Sequence, residues 1–313
     1  MTSRPSTNLQ TTLAAAVIIE GVGAHSGRRS RIVLSPGDAG SGVVFLRGGR
    51  AFGPDTSIAA LWRNVSSGEL STRIGAGEAA IATIEHLMAA LAGLRVDNAV
   101  IDIEGPEVPA MDGSAAAFVA AIDEAGLAFL AEPRRALLVR APVRVSDGAA
   151  WAELAPAPDG GFHIDVEISF PAAPIGRMRR RLALNPARFR AELARARSFG
   201  FLADAERLWR AGLALGASLD NTVVIADGRV LNPEGLRFPD EFVRHKMLDV
   251  VGDLALAGAP IIGAFRSYRG GHSLNLALLE TLLATPSAYE LIGDAEPTIG
   301  RAGANARRRR PAC

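Results

Sequence analysis

Two of the chain's five histidines stand where metal chemistry would want them. In FVRHKMLDVVGDL, His245 and Asp249 are four residues apart, which on a helix puts both side chains on one face, one turn apart. An imidazole and a carboxylate so placed make a good half-site for zinc. Asp253 lies one turn further along that face, where it either supports a ligand from behind or meets solvent. Without metal chemistry, the same residues are simply the polar stripe of a surface helix. A third ligand has to come from elsewhere, and His86 in TIEHLMAAL is the best candidate. Glu85 precedes it at the start of a helix, where the helix field favours a carboxylate. From there it is placed to take a proton from an activated water. A capping carboxylate beside an ordinary histidine fits the local sequence equally well.

The other histidines carry less. His272 follows Arg269-Gly270-Gly271, between a strand and a helix. Glycines there let the backbone approach a ligand closely, so that Arg269 can meet a phosphate and His272 a developing oxyanion. A plain strand-to-helix turn with an exposed histidine accounts for the same residues. His163 alternates with Phe162 and Ile164 in a strand and is read as surface-facing and idle. His25 sits in GVGAHSG, a glycine-rich turn that says little alone.

Composition narrows the setting. A formal charge of +1 over 313 residues and 5% aromatic content leave no footprint for nucleic acid. Cys313 is the only cysteine, so no internal disulfide and no thiolate metal site can form. That suits a reducing compartment. No stretch approaches the roughly 20 apolar residues needed to cross a bilayer. The apolar run near the start is followed directly by Glu20 and the Gly21/Gly23 turn, as in a first strand rather than a signal peptide. A cytoplasmic protein is expected.

The elements that must position these residues are legible in outline. AAAVII, RIVLSP and GVVFLR read as strands around glycine-rich turns. A helix is expected from Thr83, as N-cap, to Leu94, then the strand NAVIDIEG and a helix from Ser114 to Ala125. The second half repeats that plan: strands LLVRAPVRV, AWAELAPA and FHIDVEISF, a helix from Pro186 to Arg197, and a hairpin at Asp227-Gly228. A long helix Glu241–Leu256, the strand IIGAFRSY and a helix Ser273–Leu283 complete it. The fold class is α+β, with two similar domains, 1–132 and 133–295, joined near AEPRRA. Residues 296–313 form a basic tail without periodicity, expected to be disordered. Its arginines either touch an anionic membrane surface or are solvated.

Six segments, in order, resemble the UDP-3-O-acyl-N-acetylglucosamine deacetylases of Gram-negative bacteria. They are GVGAHSG, TIEHLMAALAGLRVDNAVIDIEGPEVPAMDGSAAAF, RARSFGF, GLALGASLDNTVV, VLNPEGLRFPDEFVRHKMLDVVGDLALAG and GGHSLN, and the resemblance runs along nearly all of residues 12–283. It implies two α+β domains whose sheets sandwich the helices, with the active site between them. It also implies zinc held by His86, His245 and Asp249, the three residues already reached by spacing. Glu85 matches the general base, and His272 the acid or oxyanion stabiliser. Lys246 and Asp253 match polar residues lining the site, and Arg269 a basic position for the nucleotide diphosphate. Ser198 stands where the family usually has threonine, keeping the hydroxyl that can bond the tetrahedral intermediate but losing the methyl that positions it. Phe199 matches part of the apolar passage for the acyl chain, which positions between Ser67 and Arg73 are expected to border.

The function implied is release of acetate from a UDP-linked acyl-glucosamine in lipid A synthesis. A monomer that touches the membrane surface transiently is expected, with no nucleic-acid partner. Two other readings stand beside it. One is a zinc amidase acting on another acylated amino sugar. The other is a zinc-stabilised binding module, against which the near-neutral charge and the absence of cysteine ligands weigh.

Overall fold

Strand Arg29–Pro36 buries Ser30, Ile32 and Leu34 and turns the residues between them outward, the period of a sheet with one covered face. Phe162–Ser169 does the same with Ile164, Val166 and Ile168. The structure, a computed structural model, describes residues 8–47, 56–68, 70–157, 159–171 and 173–293. The basic tail 296–313 and Cys313 lie outside the described residues, as does Glu69.

Near the start, strands Val17–Val22, Arg29–Pro36, Ala99–Glu104, Val43–Arg47 and Thr56–Ala59 lie side by side in that order. All neighbours are antiparallel except Ala99–Glu104 with Val43–Arg47. In the second half, Val143–Asp147, Ala150–Ala155, Ile261–Tyr268, Phe162–Ser169 and Arg177–Ala183 adopt the same order. The parallel pair recurs too, between Ile261–Tyr268 and Phe162–Ser169, and Ile261–Tyr268 also pairs in parallel with Ala136–Val139. The element order legible in the sequence therefore extends to strand order and direction.

The described residues hold six α-helices: α1 (Glu85–Gly93), α2 (Ala116–Ala125), α3 (Pro186–Arg188), α4 (Ala205–Arg210), α5 (Glu241–Leu254) and α6 (His272–Leu283). In each half a long helix, α1 or α5, precedes the central strand and another, α2 or α6, follows it. α2 packs on the first sheet, α5 and α6 on the second, and α1 against α5, so the helices form the layer between the sheets. α5 buries every residue except Arg244 and Lys246. It is a core helix, and the reading of its polar stripe as a solvated surface face is corrected on that ground.

Several element boundaries also move. AAAVII is not one strand, because a bend at 14–16 separates Leu9–Leu13, paired with Leu127–Pro133, from Val17–Val22. LLVRAPVRV divides into Ala136–Val139 and Val143–Asp147, with Pro142, which has no N–H for a ladder, in the break. Thr83 is not the N-cap of α1: it sits at φ 57°, and its hydroxyl donates to Glu107 at 2.7 Å. The second helix begins at Ala116, two residues beyond Ser114. The helix at Pro186 is capped by Asn185, whose side chain accepts from Arg188 N–H, but it widens into a π-helical turn, Phe189–Leu193, and stops short of Arg197. Strand Tyr289–Ile292, beside Ala136–Val139, has no counterpart in the sequence reading. No helix among the described residues is long and apolar enough to cross a membrane.

The closest approach of α1 and α5 is set by Gly252, where an added Cβ would lie 2.0 Å from the Glu85 carbonyl oxygen. Gly to Ala inside a helix ordinarily stabilises by about 1 kcal/mol. Here Gly252→Ala has to push the helices apart, so denaturant unfolding of the metal-free protein should show a loss of about 1–3 kcal/mol. A gain instead would mean that the two helices separate freely.

Candidate metal centre and active site

α1 delivers Glu85 and His86 in its first turn, at the point where α5 delivers His245 and Asp249 from its middle. The candidate ligand atoms of His86, His245 and Asp249 all lie within 4.8 Å of one another. His86 Nε2 is 3.7 Å and His245 Nε2 3.4 Å from Asp249 Oδ1, and the two rings meet edge to face with centroids 5.0 Å apart. Asp249 Oδ1 is buried and has no hydrogen-bond partner among the described residues. A bare buried carboxylate oxygen is costly, and a divalent cation shared with the two imidazole nitrogens removes that cost. The donor set thus fits a metal.

The surroundings prepare these ligands. His245 Nδ1 lies 3.1 Å from the Ala196 carbonyl. A carbonyl can only accept, so Nδ1 carries the proton and Nε2 keeps its lone pair. Burial, only partly countered by the Asp249 charge, drives the His245 pKa down to about 4, so the ring is neutral near pH 7. Burial opposes ionisation of Asp249, yet His245, Lys246 and His272 outweigh it and hold the carboxyl well below its ordinary range. Of these, Lys246 makes a direct bond, Nζ to Asp249 Oδ2 at 2.8 Å. Burial works against the Lys246 charge as well, but Asp249, Asp253 and Glu85 raise its pKa.

Beside this cluster is a second one. Asp253 is fully buried and accepts from His272 Nδ1 at 2.8 Å, Thr72 Oγ1 at 2.6 Å and Asn275 Nδ2 at 2.8 Å. His272 Nε2 is directed towards Asp249, 3.9 Å from Oδ2. Burial and the α6 N-terminus both disfavour an imidazolium, but Asp253 and Asp249 prevail and lift the His272 pKa to about 9. Glu85 accepts from the Thr72 backbone N–H at 2.9 Å. Burial raises its pKa despite the opposing His272 and His86 charges. A carboxylate made more basic and a histidine kept protonated therefore flank one candidate metal position.

The remaining sequence candidates are placed as follows. Ser198 is fixed through its backbone, its N–H donating to Gly113 and its carbonyl accepting from Val223, each at 2.8 Å. Phe199 packs edge-on against Phe242 and His245, with Lys246 Nζ 5.7 Å from its ring centroid. Arg269 is exposed at φ 53°, its N–H bonded to the Glu167 carbonyl, and the structure shows no bond from it to the cluster. His163 is half-buried and bonded to Asp159 at 2.6 Å, away from the site. His25 is anchored through its backbone N–H to the buried Glu107 carboxylate.

Three residues of the constellation were missed. Asn275 was readable, since it is one turn from His272 on the same helix. Thr72 falls inside the Ser67–Arg73 segment that was assigned to the border of an acyl passage, yet it bonds both Glu85 and Asp253. Glu107 sits in a proline-rich loop with no spacing signal, and it fixes His25, Ser26 and Thr83. A cavity of about 610 Å³ lies elsewhere, lined by Met88 and Leu91 of α1 and by Val251 and Leu254 of α5. His86, His245 and Asp249 are not among the residues that line it.

Two imidazoles and a carboxylate around one point, with a base and an acid beside them, are the equipment of a metal-dependent hydrolase. The sequence matches the UDP-3-O-acyl N-acetylglycosamine deacetylase family over residues 10–284. The chain belongs to that family. It is similar to the UDP-3-O-acyl-N-acetylglucosamine deacetylases of Brucella ovis, Brucella canis and Brucella melitensis biotype 2. Each is 47% identical over 284 residues, covering 90% of this chain and 98% of the relative.

The His272–Asp253 pair has a signature in the pH dependence of stability. A folded pKa of about 9 against an ordinary 6.5 gives a stabilisation fully present below pH 6.5 and lost as pH rises through 9. Its full size is on the order of 3 kcal/mol. In the metal-free protein, Asp253→Asn should remove that alkaline loss and bring the His272 titration, followed by NMR, below its wild-type position. A His272 titration unmoved by Asp253→Asn would show that another charge controls it.

Proposed function

We infer that the protein is a UDP-3-O-acyl-N-acetylglucosamine deacetylase, a hydrolase that releases acetate in lipid A biosynthesis, and that it uses zinc. Family membership supports the activity. The observation that carries the metal is Asp249 Oδ1, buried without a partner between two imidazoles. His86, His245 and Asp249 would hold the ion, a nitrogen- and oxygen-donor set of the catalytic zinc type. When bound, zinc supplies Lewis acidity, lowering the pKa of water towards ~7 and polarising a carbonyl.

The chain's own residues do the rest. Glu85, held by the Thr72 N–H, takes one proton from water as its oxygen adds to the acetamide carbon. His272, protonated and braced by Asp253, faces the oxygen that becomes negative, together with Lys246 and the Ser198 hydroxyl. The carbon–nitrogen bond then breaks, the amine takes a proton from one of these acids, and acetate leaves. Phe199, in its aromatic cluster with Phe170 and Phe242, offers the acyl chain an apolar wall. Arg269, exposed and free of the cluster's bonds, is available to the diphosphate.

The repeated strand order supports reading residues 1–132 and 133–295 as two domains with the site between them. The working form on this reading is a cytoplasmic monomer, in passing contact with the membrane surface where the lipid product goes.

The primary test is acetate release from a UDP-3-O-acyl-GlcNAc substrate before chelation, after it, and with zinc restored. Activity should vanish with the metal and return with it. Folded, zinc-loaded protein that releases no acetate across several acyl lengths would overturn the reading. Glu85→Gln should keep its zinc while kcat falls by about 10²–10⁴. Arg269→Ala should weaken only UDP-linked substrates. An equal effect on acylated amino sugars without UDP would favour an amidase of different substrate.

A further inference from the structure

Arg197 is the bulkiest fully buried side chain among the described residues, at 1% exposure, and nothing in the reaction above employs it. Its guanidinium forks onto Glu241, Nε to Oε1 at 2.9 Å and Nη2 to Oε2 at 3.2 Å. Its backbone N–H donates to the same Oε1 at 3.0 Å. Nη1 reaches Glu234, and Nη2 also reaches the Gly235 carbonyl at 2.7 Å. Glu241 accepts a further bond from the Arg237 N–H at 2.6 Å. A planar fork gripped this way has one orientation, which a lysine would not reproduce.

Both ends of this pair adjoin the metal site. Glu241 opens α5 and stands one turn before His245. On the other strand of chain, Ala196, Arg197 and Ser198 are consecutive: the Ala196 carbonyl meets His245 Nδ1, and Ser198 stands two residues beyond it. Two staples therefore join the same two segments, one made by Arg197 with Glu241 and one by Ala196 with His245.

We propose that Arg197 is a positioning residue for the metal centre: its grip on Glu241 holds the Ala196 carbonyl against His245 Nδ1, so that His245 presents Nε2 to the metal and Ser198 presents its hydroxyl. This rests on the zinc reading above. It assigns the pair a role beyond holding the fold, because groups that orient a metal-bound histidine change metal affinity or activity by about 10–100-fold when removed.

Removing one partner alone strands a buried charge and can unfold the protein. The decisive variant is therefore the double Arg197→Met/Glu241→Leu, which deletes both charges and keeps apolar bulk. Zinc affinity by chelator competition, the visible spectrum of the cobalt-substituted protein, and kcat and KM are measured beside thermal unfolding of the metal-free form. The expected result is a folded protein with zinc bound about 10–100-fold more weakly, a shifted cobalt band, and a loss in kcat larger than any change in KM. A folded double variant with wild-type zinc affinity and cobalt spectrum would overturn the proposal and show the pair to be structural only. If the double variant does not fold, Arg197→Lys carries the same test: it keeps the charge, loses the fork, and should still weaken zinc and shift the cobalt band. Wild-type protein that binds zinc nowhere near stoichiometrically would instead overturn the zinc reading, and this inference with it.

Discussion

Burying charge is the constraint on which this structure depends. α5 carries Glu241, His245, Asp249 and Asp253 at four-residue intervals, all buried within a helix covered nearly all round. A buried charge without partners costs several kcal/mol, so each member of the stripe dictates a neighbour. Glu241 requires Arg197, His245 takes the Ala196 carbonyl, Asp249 takes Lys246, and Asp253 takes His272, Thr72 and Asn275. Apart from Lys246, which is on α5 itself, those partners come from three distant stretches of chain. The stripe is thus a list of docking instructions as well as a set of functional groups.

Packing then turns that list into a site. Two sheets that share a five-strand order each present their helices to a shared middle layer, and the layer closes where Gly252 lets α5 ride on the Glu85 carbonyl. Because Glu85 opens α1, the closest helix contact is also the place where α1 delivers Glu85 and His86. A larger residue at 252 would widen the gap that His86, His245 and Asp249 have to span. Close packing and ligand geometry are here the same requirement.

The sequence showed the candidate ligands more readily than the shell around them. His245 and Asp249 were legible because helical spacing puts four-apart residues on one face, and the same rule would have reached Glu241 and Asn275 had it been followed one turn further. It could not say that α5 is buried, since a stripe of charge looks alike in solvent and in a paired core. Thr72 was beyond reach for a different reason. It acts through a backbone N–H as well as a hydroxyl, and a backbone donor leaves no mark on residue type. One boundary shifted because a side chain bonds something distant, as Thr83 does with Glu107 in place of capping α1. The strand repeat survived from sequence to structure because element order depends on periodicity, which is local, and not on individual partners.

The pKa values of Glu85 and His272 are set by one buried surrounding acting on two groups. Low dielectric alone would raise the Glu85 pKa and lower that of His272, driving both towards neutrality and leaving a poor base beside a poor acid. Asp253 breaks that symmetry. Its charge reverses the effect of burial on His272, and the resulting imidazolium in turn restrains the rise of Glu85. In charge terms, Glu85, Asp249 and Asp253 stand against Lys246 and His272, which leaves the protein groups one negative charge in excess. A divalent cation held by His86, His245 and Asp249 would turn that excess into one net positive charge. Hydrolysis of an amide develops a negative oxygen, so the arrangement is electrostatically matched to the state in which the bond breaks, and not to the neutral amide that enters.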